Sequence, residues 1–238
     1  VIEEIGERKN CLIRPPLANL DQLIFVVSMA EPSPNLLILD KFIAVAEYQH
    51  IEPVIAVTKV DLADCGMIES IYQNAGIKLC IVDYESDDPA AEMRDLLQNR
   101  ISAFTGNSGV GKSTLLNSVC DKFEIPTGEI SRKLGRGRHT TRHAELYKLP
   151  FGGYIADTPG FSTFETNKYI IIKKEELSGC FREFEKFEGE CRFRDCSHTK
   201  EKGCRIIQAA DEGEIANSRH ENYCVMYEEA KQIKEWEL

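Results

Sequence analysis

No run of about 18 consecutive apolar residues occurs in this chain of 238 residues, so nothing in it reads as a membrane span. A basic leader followed by an apolar stretch is missing too. The sequence opens on Val1, and no secretory signal is expected in it. Nor is there an excess of positive charge: 39 acidic residues against 29 basic ones leave a formal charge of -10. That balance excludes attraction to nucleic acid over the whole surface and confines any RNA contact to a local patch. The nine cysteines cannot all pair. Cys11, Cys65, Cys80, Cys120 and Cys224 stand singly in helix- or strand-like surroundings, and Cys180 joins them as structural. They read as small buried hydrophobes of a reducing compartment. What remains is a soluble chain, 42% hydrophobic and long enough for two domains.

The chain is organised around Gly106, Asn107, Ser108, Gly109, Val110, Gly111, Lys112 and Ser113, which fit G-x-x-x-x-G-K-[ST]. An apolar run (Ile101, Ala103, Phe104) precedes this stretch, and a helix-like segment, 114–120, begins at Thr114. Strand, loop and helix in that order are the context a phosphate-binding loop needs. The glycines let successive backbone amides turn inward around a phosphate, at a helix N-terminus whose partial positive charge favours anions. Lys112 would reach the β- and γ-phosphates, and Ser113 would hold Mg²⁺.

Upstream, residues 23–29 form an unbroken apolar run, the mark of a strand buried on both faces. Prolines at 32 and 34 mark a loop, and 35–49 carries helix-period apolar positions. Residues 53–57 read as a second buried strand, which runs directly into Thr58-Lys59-Val60-Asp61. A T-K-x-D at the carboxyl end of a parallel strand is a guanine-recognition element. Asp61 would accept from guanine N1–H and the exocyclic amine, a donor pair that adenine lacks, and Lys59 would lay its stem along the base. A helix at 67–74, a strand at 78–82 and a helix at 90–99 continue the alternation, which predicts an α/β doubly wound sheet.

Downstream, 131–143 holds five Lys or Arg and no acid, with two glycines and no apolar period. It reads as a loop that orders when a hydroxyl of Thr140 or Thr141 joins the Mg²⁺ sphere of a triphosphate. Its basic excess also suits RNA phosphates. A short strand, 154–156, then ends in Asp157-Thr158-Pro159-Gly160, about 45 residues after the phosphate loop. There a carboxylate can hold Mg²⁺ through water and the Gly160 amide can bond the γ-phosphate. In an ordinary P-loop GTPase the phosphate loop comes first and the guanine motif last. Here the guanine motif ends 45 residues before Gly106, so the domain reads as circularly permuted.

Beyond the second switch stands Cys191-x₄-Cys196-x-His198-x₅-Cys204. Three thiolates and an imidazole supply a closed tetrahedral Zn²⁺ set with no place for water, hence a structural site. Helix-like segments at 178–187 and 205–238 flank it, and a module this small needs its metal to fold well. Arg192, Phe193, Arg194, Lys200 and Lys202 are interleaved with the ligands as candidates for touching RNA or protein.

Together, the permuted order, the Gly-Arg-Gly-Arg-His-Thr-Thr switch, Asp-Thr-Pro-Gly-Phe and the zinc set resemble the ribosome small-subunit-dependent GTPase A family over nearly the whole chain. Arg14-Pro-Pro with Asn19 and Asp21 resembles that family's junction between an N-terminal OB-fold and the GTPase domain. The resemblance implies an OB-fold tail at 1–20 with most of the barrel absent, a permuted GTPase domain at 21–167 and a helical zinc domain at 168–238. It also implies slow GTP hydrolysis to GDP, stimulation by the 30S subunit with its 16S-type rRNA, and a role in late small-subunit maturation. The protein would be a monomer away from membranes, in the cytoplasm or an organellar matrix. Phe161 stands where related enzymes place a water-orienting glutamine, and the resemblance points to His139 for that task, beside Lys112 and Thr141 as catalytic groups. Val82-Asp83-Tyr84 replaces the Ser-Ala-like pair that backs the guanine in the family. Two other readings stay open at this stage: a P-loop ATPase or kinase, and an RNA- or protein-binding zinc module whose nucleotide site is structural.

Overall fold

The computed structural model describes residues 4, 6–13, 16–120, 145–157 and 170–233, with Glu145 and Asp157 described by their backbone alone. Strands β1 (Cys11–Leu12) and β2 (Leu17–Ala18) pair as a small antiparallel hairpin. Asn10 and Asp21 seat that hairpin on the main body. The Asn10 amide donates to Leu20 O at 2.7 Å and accepts from Leu20 N at 2.9 Å, and the Asp21 carboxylate accepts from Ile101 N at 2.8 Å. Lys9 pairs with Asp21 at 2.9 Å.

Next in the chain come β3 (Gln22–Ser28), α1 (Leu36–Tyr48), β4 (Glu52–Thr58), α2 (Gly66–Asn74), β5 (Lys78–Ile81), α3 (Ala91–Leu97), β6 (Ile101–Thr105), α4 (Lys112–Val119), β7 (Glu145–Lys148) and β8 (Tyr154–Asp157). Six of the strands form one sheet in the order β5-β4-β3-β6-β8-β7. Alternation along β3 explains its unbroken apolar run. Leu23 and Phe25 face the core under α1 and α2, while Ile24 and Val26 face the core under α3 and α4. β4 does the same with Ile55 and Val57 on one face and Val54 and Ala56 on the other. Gln22 is polar and buried at the start of β3, and its amide donates to Leu96 O and Ser102 Oγ, each at 2.8 Å.

The sheet is mixed rather than wholly parallel, because β7 runs antiparallel to β8. Its four residues sit at an edge with Leu146 exposed, too short and too poorly buried to leave an apolar signature. From β3 the chain steps outward to β4 and β5, then returns past β3 to β6. This reversal opens a crevice at the carboxyl ends of β3 and β6, where ligands of such sheets bind. Counted from β6 to β8 and then from β3 to β5, the strands follow the cyclic order of a domain whose phosphate loop comes first. The lateral neighbours that build the site are therefore kept while the connectivity changes.

Among the described residues after 170, the regular elements are all helical, and 234–238 lie outside the described residues. Residues expected as one helix at 178–187 form two 3-10 turns, Ser178–Cys180 and Arg182–Phe187, parted at Phe181. The helix expected over 205–238 is divided into α5 (Arg205–Asp211) and α6 (Asn217–Lys231). Gly213 at φ 77° makes the break, with Glu214 N closing on Ala209 O at 2.8 Å. Leu177, Phe181, Phe184, Ile206, Ala209, Tyr223 and Met226 form this part's core, and Ala44 of α1 lies in the same cluster. All nine cysteines are free. Cys80, Cys120 and Cys180 are buried as expected, whereas Cys11, Cys65 and Cys224 are half-buried: the first two stand at the start of β1 and α2, and Cys224 on α6 is only partly covered by the C-terminal core.

Candidate functional site

The phosphate loop leaves β6 at Gly106, whose φ of 146° and surroundings both demand glycine. A Cβ there would lie 2.3 Å from Val26 O of the neighbouring strand. Gly109 and Gly111 take φ of 82° and 90°, which turns the loop into the N-terminus of α4. Buried Val110 anchors it in the core beneath. Lys112 Nζ donates back to the carbonyls of Gly106 and Asn107, the second at 2.8 Å. Burial pushes this ammonium down to about 8. Ser113 and Thr114 follow in the first turn of α4, and Asn107 and Ser108 are exposed.

The guanine-motif candidates meet this loop from the side. Thr58 is the last residue of β4 and fully buried. Its Oγ1 donates to Val110 O at 2.6 Å and lies 3.1 Å from Val27 O, so it straps the loop to two strands and leaves no hydroxyl for a ligand. Lys59 adopts a left-handed φ of 57°, and its Nζ donates to Ala30 O at 3.1 Å and Glu31 O at 2.6 Å. Asp61 is exposed just beyond the strand. On the adjoining strand end, Asp83 closes a local turn, accepting from Glu85 N at 2.9 Å and Ser86 Oγ at 2.7 Å. Tyr84 packs against the core, where burial pushes its phenol up to about 12; its hydroxyl has no partner among the described residues.

β8 runs parallel to β6 and brings the Asp157 backbone to the same edge of the sheet. The Asp157 side chain, Gly160, and the first-switch candidates His139, Thr140 and Thr141 lie outside the described residues.

The second cluster gathers Cys191, Cys196, His198 and Cys204, whose ligand atoms all lie within 4.8 Å of one another. His198 Nδ1 is 3.6 Å from Cys191 Sγ and 3.5 Å from Cys204 Sγ, and those two sulfurs are 3.9 Å apart. A tetrahedral zinc with its usual bond lengths would separate sulfur from nitrogen by about 3.5 Å and sulfur from sulfur by about 3.8 Å, so the donor set fits that ion. Burial pushes the Cys196 thiol up to about 12 and lowers His198.

Spacing did not point to the residues that hold these ligands. The Glu201 carboxylate accepts from Ser197 N at 2.9 Å, Thr199 N at 3.2 Å, Lys200 N at 3.1 Å and the Ser197 hydroxyl. Burial raises its pKa, but these bonds outweigh it and hold the carboxyl at about 2. From α6, His220 Nε2 lies 2.8 Å from His198 O and Tyr223 donates to Ser197 O at 2.9 Å. Arg205 N points at Cys191 Sγ from 3.3 Å. On the outer side Arg192, Phe193, Arg194, Lys200 and Lys202 are exposed, with the Arg192 guanidinium 5.5 Å above the Phe193 ring.

A family model described as RsgA GTPase matches residues 5–167. The small ribosomal subunit biogenesis GTPase RsgA of Caldanaerobacter subterraneus subsp. tengcongensis is 44% identical over 234 residues, 97% of this chain and 78% of that protein. The crystal structure of YjeQ from Thermotoga maritima superposes with a TM-score of 0.80 at 36% identity, over 98% of this chain and 79% of that one. YloQ, a circularly permuted GTPase, gives a TM-score of 0.77 at 32% identity, over 97% of this chain and 75% of that one.

Proposed function

The chain belongs to the RsgA GTPase family, a GTP hydrolase of small ribosomal subunit biogenesis, and on that premise we propose which residues bind and cleave the nucleotide. Asp61 reads guanine through its N1–H and exocyclic amine, with the Lys59 stem along the base. The amides of 106–113 cradle the phosphates, and Lys112 turns its ammonium from the carbonyls of Gly106 and Asn107 to the β- and γ-phosphates. Ser113, Asp157 and Thr141 would hold Mg²⁺, which when bound neutralises charge on the β- and γ-oxygens. The Gly160 amide bonds the γ-phosphate. His139 orients the water for in-line attack, and Lys112 with the loop amides stabilises the charge that develops.

In this reading Cys191, Cys196, His198 and Cys204 hold one structural zinc. The exposed basic residues around them contact phosphates of 16S-type rRNA, a local patch on an otherwise acidic surface. Docking on the 30S subunit orders the switches and raises turnover, and the protein acts as a cytoplasmic monomer. The observation that supports this best is the bond from Thr58 Oγ1 to Val110 O. It joins the guanine motif to the phosphate loop across 52 residues of chain, as a single nucleotide site requires. GTP turnover measured with and without purified 30S subunits, with ATP as control, tests it. Equal use of ATP, or no response to the subunit, would refute the assignment.

A further inference from the structure

Helix α1 lies between the two candidate sites: its N-terminal end borders the phosphate loop, and its far side is bonded to α6, which reaches the metal-ligand loop. Its N-terminal end grows out of the loop 29–35, which leans on the phosphate loop. A Cβ on Gly109 would meet Pro32 Cδ at 3.8 Å, and Pro32, Ser33, Pro34 and Asn35 line one cavity together with Gly106, Asn107 and Val110. Three bonds hold the loop in place: Ser28 Oγ to Pro32 O at 2.7 Å, and Lys59 Nζ to Ala30 O and Glu31 O. Asn35 caps the helix through Ile38 N at 3.0 Å. The ammonium holding two of these carbonyls belongs to the guanine motif, so a nucleotide and the loop draw on the same group.

The far side of α1 is bonded to the C-terminal part. Asp40 Oδ1 accepts from Arg219 at 2.7 Å and from Tyr72 OH at 2.8 Å, while its Oδ2 accepts from Asn222 at 2.6 Å. Arg219 also grips Glu183 with two bonds of 2.8 and 3.0 Å, its guanidinium 4.5 Å above the Phe181 ring. Arg219 and Asp40 are each 1% exposed and Glu183 3%. Further along α1, Glu47 pairs with Arg182 at 2.6 Å, and Tyr48 donates to Glu176 at 3.2 Å. Lys41 pairs with Glu229 of α6 at 2.7 Å. From Arg219 the next residue of α6 is His220, which reaches the carbonyl of His198; one turn on, Tyr223 reaches that of Ser197.

We propose that α1 and the buried Asp40–Arg219–Glu183 cluster form a coupling device: nucleotide at the phosphate loop resets the loop 29–35, and α1 passes that change through Arg219 to the metal-ligand loop. The geometry favours this over an indifferent interface. A buried charge cluster tolerates few arrangements, so a shift of α1 carries Arg219 with it instead of sliding past it. The coupling rests on the nucleotide site proposed above.

Hydrogen exchange of the full chain, with and without a non-hydrolysable GTP analogue, tests the device. The comparison is with a variant carrying Asp40→Leu, Glu183→Leu and Arg219→Met, in which apolar groups replace all three charges and leave none unpaired. Titration of the same analogue is run in parallel. In the unmodified protein the analogue should change exchange of the amides at 217–226 by at least about fivefold, the lower end of ordinary coupling between sites. The variant should bind the analogue within about twofold and lose that change. An unresponsive α6 in the unmodified protein with analogue bound, or a full response in the variant, would overturn the device. Should the triple variant melt, Arg219→Lys keeps the charge without the fork to Glu183, and a full response there overturns the device equally. Failure to bind the analogue at all refutes the nucleotide site first and the coupling with it.

Discussion

Thr58 Oγ1 donates to Val110 O at 2.6 Å, so a residue of the guanine motif carries part of the phosphate loop's backbone. The bond is buried, and its loss leaves a carbonyl without its donor inside the site. Thr58→Val keeps the shape and removes the hydroxyl, at roughly 1–3 kcal/mol. Affinity for fluorescent GDP should fall on the order of tenfold, with the sheet still folded by circular dichroism. An unchanged affinity would show that the strap is dispensable.

If Lys112 meets the phosphates as proposed, nucleotide binding should depend on pH. Burial holds the free ammonium at about 8, below its ordinary 10.5, so the unfolded chain binds this proton more tightly than the folded one. Stability from this group is therefore lowest below pH 8 and rises between pH 8 and 10.5. Phosphates favour the charged form, so GDP affinity should weaken as pH rises through 8, by up to about tenfold per unit. Binding near pH 8.5 should take up a proton, read by calorimetry in buffers of different ionisation heat. Lys112→Met should abolish that uptake.

The metal module should lose its order before the sheet does. One zinc per chain is expected by elemental analysis, and a strong chelator should expose the thiols of Cys191, Cys196 and Cys204 to alkylation while GDP still binds. Glu201→Gln keeps the size of the side chain but weakens the charge-assisted bonds to 197–200. Zinc affinity, read by competition with a chromophoric chelator, should drop about tenfold.

Arg219→Ala strands two buried carboxylates, Asp40 and Glu183. Urea unfolding should report a loss of about 3–5 kcal/mol. The Asp40→Asn change keeps a partner for Tyr72 and Arg219, and should cost clearly less.

His139→Ala addresses the proposed water-orienting role. Turnover with 30S subunits should fall by about 10² or more while GTP affinity stays within twofold. Undiminished turnover would remove His139 from the mechanism.

The motifs proposed for the nucleotide site were legible because they are local. Strand, glycine loop and helix occupy consecutive residues at 101–119, and the four candidate zinc ligands fall within 14 residues, so spacing alone brings their atoms together. β3 and β4 were legible as unbroken apolar runs because both faces of the sheet are covered. The short antiparallel β7 was not, since an exposed edge strand has little apolar pattern to show. The single helix expected at 205–238 is interrupted where Gly213 adopts a conformation that no helical period announces.

By itself, then, the sequence determined the permuted order of the motifs and which residue types stand together at short spacing. Only the tertiary structure decided which groups meet across the chain. Arg219 finds Asp40 179 residues away, and Thr58 finds Val110 across 52. Such pairs leave no local signal: each partner alone is an ordinary polar residue. Packing the two faces of a sheet and docking a helical module on α1 is what places them within bonding distance.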